Sequence, residues 1–238
     1  MGISVRVLAV MAVAGVLCAC TATKRMTDVS YHPPEGQYRL LVMEPDIQVG
    51  LLTAGGAVEP RADWTARAHD SVLKALSKQQ STHGADVKVV TTAEDLRYDP
   101  KKLADLVWLH KVVGDSIRIH KYLGIVLPTK AHRFDWTLGE PAVELGAATH
   151  YDYALFLYAE DSFESSGRAV LRVADFVGCA LGGVCLSGGQ QFAFASLVDL
   201  KTGQIVWFNT LKSSVGDLRT EEGAQKMVNT LLRSISSG

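Results

Sequence analysis

Long apolar runs, excess charge and cysteines are all scarce in this chain of 238 residues. The 24 basic and 25 acidic residues nearly balance, so neither a nucleic-acid-binding patch nor a disordered acidic tail is indicated. The apolar run at residues 7–17 has eleven residues, fewer than the about 20 that a membrane-spanning helix needs. An apolar fraction of 47% is nevertheless enough for the core of a globular domain.

The sequence also lacks a phosphate-binding loop. Residues 186–190 read LSGGQ, the signature string of ABC-transporter ATPases. Nucleotide hydrolysis requires G-x-x-x-x-G-K-[ST], yet the chain contains no Gly-Lys pair. The Walker-B-like residues 196–199 are followed by Leu200 rather than by a catalytic glutamate. We therefore predict no nucleotide and no other cofactor, and interpret LSGGQ as a glycine-rich connection.

Other catalytic motifs are missing as well. There is no G-x-S-x-G elbow, and the seven histidines form no H-E-x-x-H motif, so neither a serine hydrolase nor a metal site is predicted. Glu160, Asp161 and Glu164 cluster at a predicted strand end, where a solvated turn is the simpler interpretation. A hydrolase in a cleft at the strand ends stays open as a minor hypothesis, but we predict that the chain is not an enzyme.

The amino terminus has the pattern of an export signal. Residues 1–6 are positive, and the apolar run that follows suits the central region of a secretory signal. The run ends in Leu17, Cys18, Ala19 and Cys20, which resembles a bacterial lipobox with Cys20 as the acylated residue. Residues 1–19 are thus predicted to be a lipoprotein signal peptide. The alternative is an ordinary secreted protein cut near residues 12–14.

Membrane attachment would then come from lipid on Cys20. Two or more acyl chains anchor a protein stably. Thr21, rather than Asp, follows the cysteine; by resemblance to Gram-negative lipoproteins this favours the periplasmic face of the outer membrane. Residues 20–36 are polar and contain Pro33 and Pro34, so they are predicted to be the lipidated cysteine and a short flexible tether. Residues 37–238 form the predicted domain.

Periodicity predicts a single α/β domain with a mixed sheet flanked by helices, ending in a β-hairpin followed by a helix. The predicted strands are residues 38–44, 87–91, 151–160, 192–200 and 205–211, and a further short edge strand could lie before residue 59. The predicted helices are residues 63–80, 99–123 and 141–148, and one begins after Thr220. Residues 165–189 fit either a helix or the start of a strand.

A glycine-rich loop is the predicted partner contact. Cys179 and Cys185 can form a disulfide in an oxidising periplasm, while a metal pair and two free thiols are the alternatives. The loop at residues 177–190 is both apolar and rich in glycine, so it is a candidate surface for a protein partner, unless a helix covers it. The residues assigned to this contact are Val177, Leu181, Val184, Leu186, Gly188 and Gly189.

Two segments carry a resemblance to a known group. Asp152-Tyr153-Ala154-Leu155 precedes a hairpin with Val198-Asp199-Leu200, Thr202-Gly203 and Ile205-Val206-Trp207. This pattern resembles periplasmic lipoproteins of the CsgG, LpoB and TolB amino-terminal-like group. The resemblance implies a non-catalytic envelope accessory protein that binds a protein partner or itself. The alternative that it implies is a subunit of an oligomeric CsgG-like secretion or transport assembly, although the chain lacks two obvious amphipathic membrane hairpins.

Overall fold

One mixed sheet runs through the part of the chain that the structure describes. The computed structural model describes residues 21–27, 38–79, 86–123, 125–130, 133–180, 186–233 and 235, with the backbone alone at 21, 22, 24–27, 122 and 176–180. The strands in these ranges are β1 (Thr21–Thr27), β2 (Arg39–Val42), β3 (Asp46–Leu52), β4 (Val58–Pro60), β5 (Asp86–Val89), β6 (Tyr153–Glu164), β7 (Gln191–Asp199) and β8 (Ile205–Ser213).

The sheet is parallel in one half and antiparallel in the other. The strand order is β1-β8-β7-β6-β2-β5, and β3 lies between β6 and β4 further along the same sheet. β2 pairs in parallel with β5 and β6, while β6, β7, β8 and β1 pair in antiparallel fashion. Pro45 separates β2 from β3, and both lie beside β6, which is twelve residues long. These two short strands therefore share one long partner.

Helices cover the two faces of this sheet. They are α1 (Ala62–Gln79), α2 (Pro100–Tyr122), α3 (Glu140–Thr149), α4 (Ser166–Ala180) and α5 (Glu221–Leu232). Residues of α1 and α5 pack with Leu155 and Leu157 on one face, and residues of α2 and α3 pack with Phe156 on the other. The alternation along β6 follows from the two-residue period of a strand. Both faces of β6 are buried, as in the central strand of an α/β sheet.

Local chemistry sets the helix starts and the hairpin turn. Asp99 accepts a hydrogen bond from the Lys102 amide at 3.0 Å and caps α2. The β7–β8 turn is closed by Asp199, whose Oδ1 accepts hydrogen bonds from the amides of Lys201 and Thr202. Gly203 follows with φ of 71°, a left-handed conformation that favours glycine. The predicted start of this helix near residue 99 and the predicted hairpin are both confirmed.

A buried histidine belongs to the core under α2. The His110 Nε2 atom lies 2.9 Å from the Ser196 hydroxyl, and the ring stacks on Phe156. Burial lowers the pKa of His110 to about 3, so the ring is neutral at physiological pH. We assign it a packing role because Ser196 satisfies its ring nitrogen and aromatic rings fill the surroundings.

The predicted fold class is confirmed: the structure is a mixed α/β sheet flanked by helices, with a carboxy-terminal hairpin followed by α5. Two segments differ from or extend the prediction. Thr21–Thr27, expected to belong to a flexible tether, is strand β1 because its backbone pairs with β8 along seven residues. The unassigned segment contains α4. Among the described helices, none combines the length and the apolar character needed to cross a bilayer.

Candidate binding surface

Five strand residues lie in one row across the sheet. Thr21 is opposite Ser213, Ser213 is opposite Gln191, Gln191 is opposite Asp161, and Asp161 is opposite Val49. We call the part of the molecule around this row the Asp161 end. Strand β1 starts here, so the residue that precedes Thr21 in the chain is attached at this end through one peptide bond.

Helix α4 leaves the sheet at the same end and is held through its polar residues. The buried guanidinium of Arg168 donates hydrogen bonds to the carbonyls of Ser187 at 3.0 Å and Ala54 at 3.4 Å. Asp175 accepts a hydrogen bond of 2.8 Å from the Leu186 amide. One turn after Arg168, Arg172 pairs with Glu164 of β6 at 3.2 Å. Within its described side chains, α4 is therefore held by hydrogen bonds and an ion pair.

Among the described side chains of α4, at residues 166–175, the large apolar ones face away from the protein. Val170, Leu171 and Val173 are 68%, 45% and 76% exposed, and Ala174 is also exposed. A surface helix of a globular protein normally turns its apolar stripe to the core and its charges to water. In residues 166–175 of α4, whose side chains are described, this arrangement is reversed, since Arg168 is buried while Val170, Leu171 and Val173 are exposed. Such a contiguous exposed apolar face is typical of a binding surface.

The two glycines of LSGGQ allow the loop after α4 to pack closely on β6. A Cβ atom on Gly189 would stand 2.1 Å from the Ser162 carbonyl oxygen, and one on Gly188 would stand 2.3 Å from a carboxylate oxygen of Glu164. The Ser162 hydroxyl and the backbone of Gln190 exchange hydrogen bonds of 3.0 and 3.1 Å. These contacts give the glycines of the string a packing role next to the sheet.

Asp161 is the buried carboxylic acid of this end. It is 4% exposed and accepts a hydrogen bond of 3.1 Å from the Leu218 amide, with the Gln191 side-chain nitrogen 3.5 Å away. Burial raises the pKa of Asp161 to about 7, against the opposing effect of these two donors. The negative charge of Asp217 raises the pKa of Asp161 further, and the positive charge of Arg219 lowers it. Burial therefore keeps this carboxyl group protonated to a higher pH than an exposed aspartate.

A cavity of about 690 Å³ adjoins Asp161, with walls from β3, β4, β6 and the LSGGQ loop. Glu160 also lines it, but its carboxylate accepts a hydrogen bond from the Tyr158 hydroxyl at 3.1 Å. Successive strand residues point to opposite faces, so the carboxyl groups of Glu160 and Asp161 leave β6 on opposite sides. The volume suits a small ligand or buried water.

A second apolar surface lies on α2, away from this row. Trp108 is 66% exposed and Val112 is 42% exposed. Beside Trp108 is a groove of about 480 Å³, and its apolar walls include Met43, Pro45 and Leu103. Exposed tryptophans beside such grooves are common at the centres of protein–protein interfaces.

The structure describes only some of the residues of the predicted site. Cys20, Leu181, Val184 and Cys185 lie outside the described residues, and Val177 and Cys179 are placed in α4 without described side chains. Lipidation at Cys20 and a Cys179–Cys185 disulfide therefore stay predictions. Leu186, Gly188 and Gly189 are described and half-buried against β6 and α4.

The strongly exposed apolar residues lie next to the predicted loop, on α4. Their helical spacing was visible in the sequence, but the direction of the stripe was not. Within the described ranges, no group of three His, Cys, Asp or Glu side chains is arranged to hold a metal ion.

Comparison with known proteins yields a distant likeness only. No protein-family model and no curated protein sequence matches the chain. The PelC dodecamer from Paraburkholderia phytofirmans is similar with a TM-score of 0.43 and 11% identity, over 91% of this chain and 98% of that chain. The L103M variant of that dodecamer is similar with a TM-score of 0.42 and 11% identity, over 92% of this chain and 100% of that chain. At such TM-scores the likeness carries no argument about what this chain binds or does.

Proposed function

We propose that this protein is a lipid-anchored, non-catalytic accessory protein of the bacterial cell envelope that binds a partner protein. The anchor is acylation of Cys20, and the favoured location is the periplasmic face of the outer membrane. The observation that carries the proposal is the lipobox-like pattern that ends in Cys20, together with the pairing of Thr21–Thr27 with β8, which places the chain after this cysteine on the edge of the folded sheet. An anchored cysteine at that position would hold the folded domain at the membrane surface.

The partner-binding part of the proposal is supported by the surface of α2. Trp108 is a large aromatic side chain beside an apolar groove, and neighbouring Val112 is also exposed. Aromatic anchors of this kind supply much of the binding energy of protein interfaces.

The anchor is tested by mass spectrometry of the mature protein from cells that make the wild type or the Cys20→Ala variant. We expect acylated peptide beginning at residue 20 in the wild type, and accumulation of the uncut precursor when the lipoprotein signal peptidase is inhibited. Sucrose-gradient separation of the envelope then locates the wild-type protein. An unmodified mature protein, or one cut near residue 14, would rule out the proposed anchor.

Partner binding is tested by photo-crosslinking in intact cells. A photoreactive residue at position 108 should capture one defined envelope protein. The matched control is position 101 on the same helix, where the Lys101 side chain is 83% exposed and lies outside the groove. Equal crosslinking from both positions would contradict a specific interface at Trp108. A product joining two copies of this chain would instead favour the oligomeric assembly.

A further inference from the structure

The outward face of α4 lacks a partner within the described residues, although it is apolar and lies at the Asp161 end. Its members are Val170, Leu171, Val173 and Ala174, all exposed. The opposite face uses Arg168 and Asp175 to hold the LSGGQ loop. Rotating the helix to bury its valines would break those contacts and expose the buried guanidinium. The reversed orientation is therefore built into the packing.

The position of Thr21 at the Asp161 end points to the bilayer as the surface that covers this face. Thr21 lies in the same row of the sheet as Asp161, and α4 begins just after the end of β6. Consecutive Cα atoms are about 3.8 Å apart, so acyl chains on the residue before Thr21 enter the bilayer close to this end of the sheet. A domain attached so closely would have its Asp161 end next to the lipid.

We propose that α4 lies in the interfacial region of the bilayer, with Val170, Leu171 and Val173 in contact with lipid acyl chains. This rests on the proposed acylation of Cys20. Interfacial helices have an apolar face in the lipid and a polar face away from it, which is the division found in α4. The helix thus adds a second attachment to the acyl anchor and fixes the orientation of the domain.

Two further side chains extend the apolar surface on either side. Val58 in β4 is 53% exposed, and its strand pairs with Leu52, which in turn pairs with Glu164 at the end of β6. Val215 follows β8 by two residues and is 42% exposed. Both therefore belong to the Asp161 end. Arg172 is half-exposed at the border of α4, where a long basic side chain can reach lipid phosphates.

Tryptophan fluorescence with brominated lipids tests this orientation. The full acylated protein is purified from envelopes as the wild type, Val173→Trp, Val170→Trp and the control Val112→Trp. Each is reconstituted in vesicles of phosphatidylethanolamine and phosphatidylglycerol, with or without brominated phosphatidylcholine. The wild type provides the baseline from its four tryptophans. Val170 and Val173 are exposed, so the substitutions should leave the fold intact, which circular dichroism checks.

We expect brominated lipid to remove more than half of the emission added at positions 173 and 170, and little of that added at 112 on α2. Acylated protein that sediments with the vesicles but shows no quenching at 173 and 170 would overturn the contact of α4 with lipid and leave the anchor intact. Protein that lacks acyl chains and fails to sediment would overturn both. Equal quenching at 112 would also overturn the proposed orientation.

Discussion

Replacing Asp161 by asparagine should make the domain more stable above neutral pH. Asparagine has nearly the same shape, and its side-chain oxygen can still accept the hydrogen bond from the Leu218 amide. Its amide group also suits the neighbouring Gln191. The substitution therefore removes the ionisation of this buried group and little else.

The size of the effect follows from the pKa of Asp161, which burial raises from 3.8 to about 7. The folded state therefore holds a proton between pH about 4 and 7 that the unfolded state has lost, and the stability from this group falls as pH rises through that window. Each unit of pKa shift corresponds to about 1.4 kcal/mol, so the free energy of unfolding falls by at most about 4 kcal/mol across this window. Structural relaxation and water in the adjoining cavity should reduce it to about 2–3 kcal/mol.

Urea unfolding of the mature chain at pH 4, 5, 6, 7 and 8 measures this difference. At pH 4 the wild type and Asp161→Asn should have similar free energies of unfolding, and the variant should be the more stable by about 2–3 kcal/mol at pH 8. Asp86→Asn, at an exposed site in β5, should follow the wild type at every pH. If the curves for Asp161→Asn and the wild type run parallel, the argument from burial is refuted.

Two glycine substitutions test close packing by the same unfolding assay. Gly189→Ala would place a Cβ against the β6 backbone and should cost about 1–3 kcal/mol, whereas Gly55→Ala, with its nearest neighbour 4.0 Å away, should cost less than half as much. Gly114→Ala would put a Cβ 2.1 Å from the Phe194 ring, so it should destabilise α2 by about 1–2 kcal/mol although alanine favours helices. Gly167→Ala in α4, with its nearest contact at 3.6 Å, should be neutral or stabilising; matched losses at all four sites would contradict the packing argument.

Most helices and strands that are marked by a capping residue, a turn residue or an apolar run could be predicted from the sequence. Asp99 before Pro100 marked the start of α2, and Asp199 with Gly203 marked the hairpin turn; both work as their chemistry requires. The strand β6 was identified by its aromatic and apolar run, but it extends to Glu164 because pairing with β3 continues beyond the apolar residues. Gly114 lies inside α2, where its lack of a side chain allows the helix to approach the Phe194 ring.

The features that escaped prediction depend on contacts between distant parts of the chain. Residues 21–27 carry no apolar alternation, and they form a strand because their backbone pairs with the edge of β8. The stripe of α4 was visible as a period, but a period alone does not show which side of a helix faces the core. That direction is set by Arg168, whose partners Ser187 and Ala54 are far away in the chain. The burial of Asp161 depends in the same way on Leu218.

If Cys20 is acylated as proposed, the pairing of β1 with β8 also sets the length of the leash, the stretch of chain between the membrane and the domain. While β1 is paired, the lipobox cysteine is one peptide bond from the sheet. If β1 detaches, the eighteen residues 21–38 join the leash, which at full extension covers at most about 60 Å. Because β8 is among the last strands made, this leash stays long until the chain is nearly complete. Pairing of β1 with β8 would then bring the folded domain close to the bilayer.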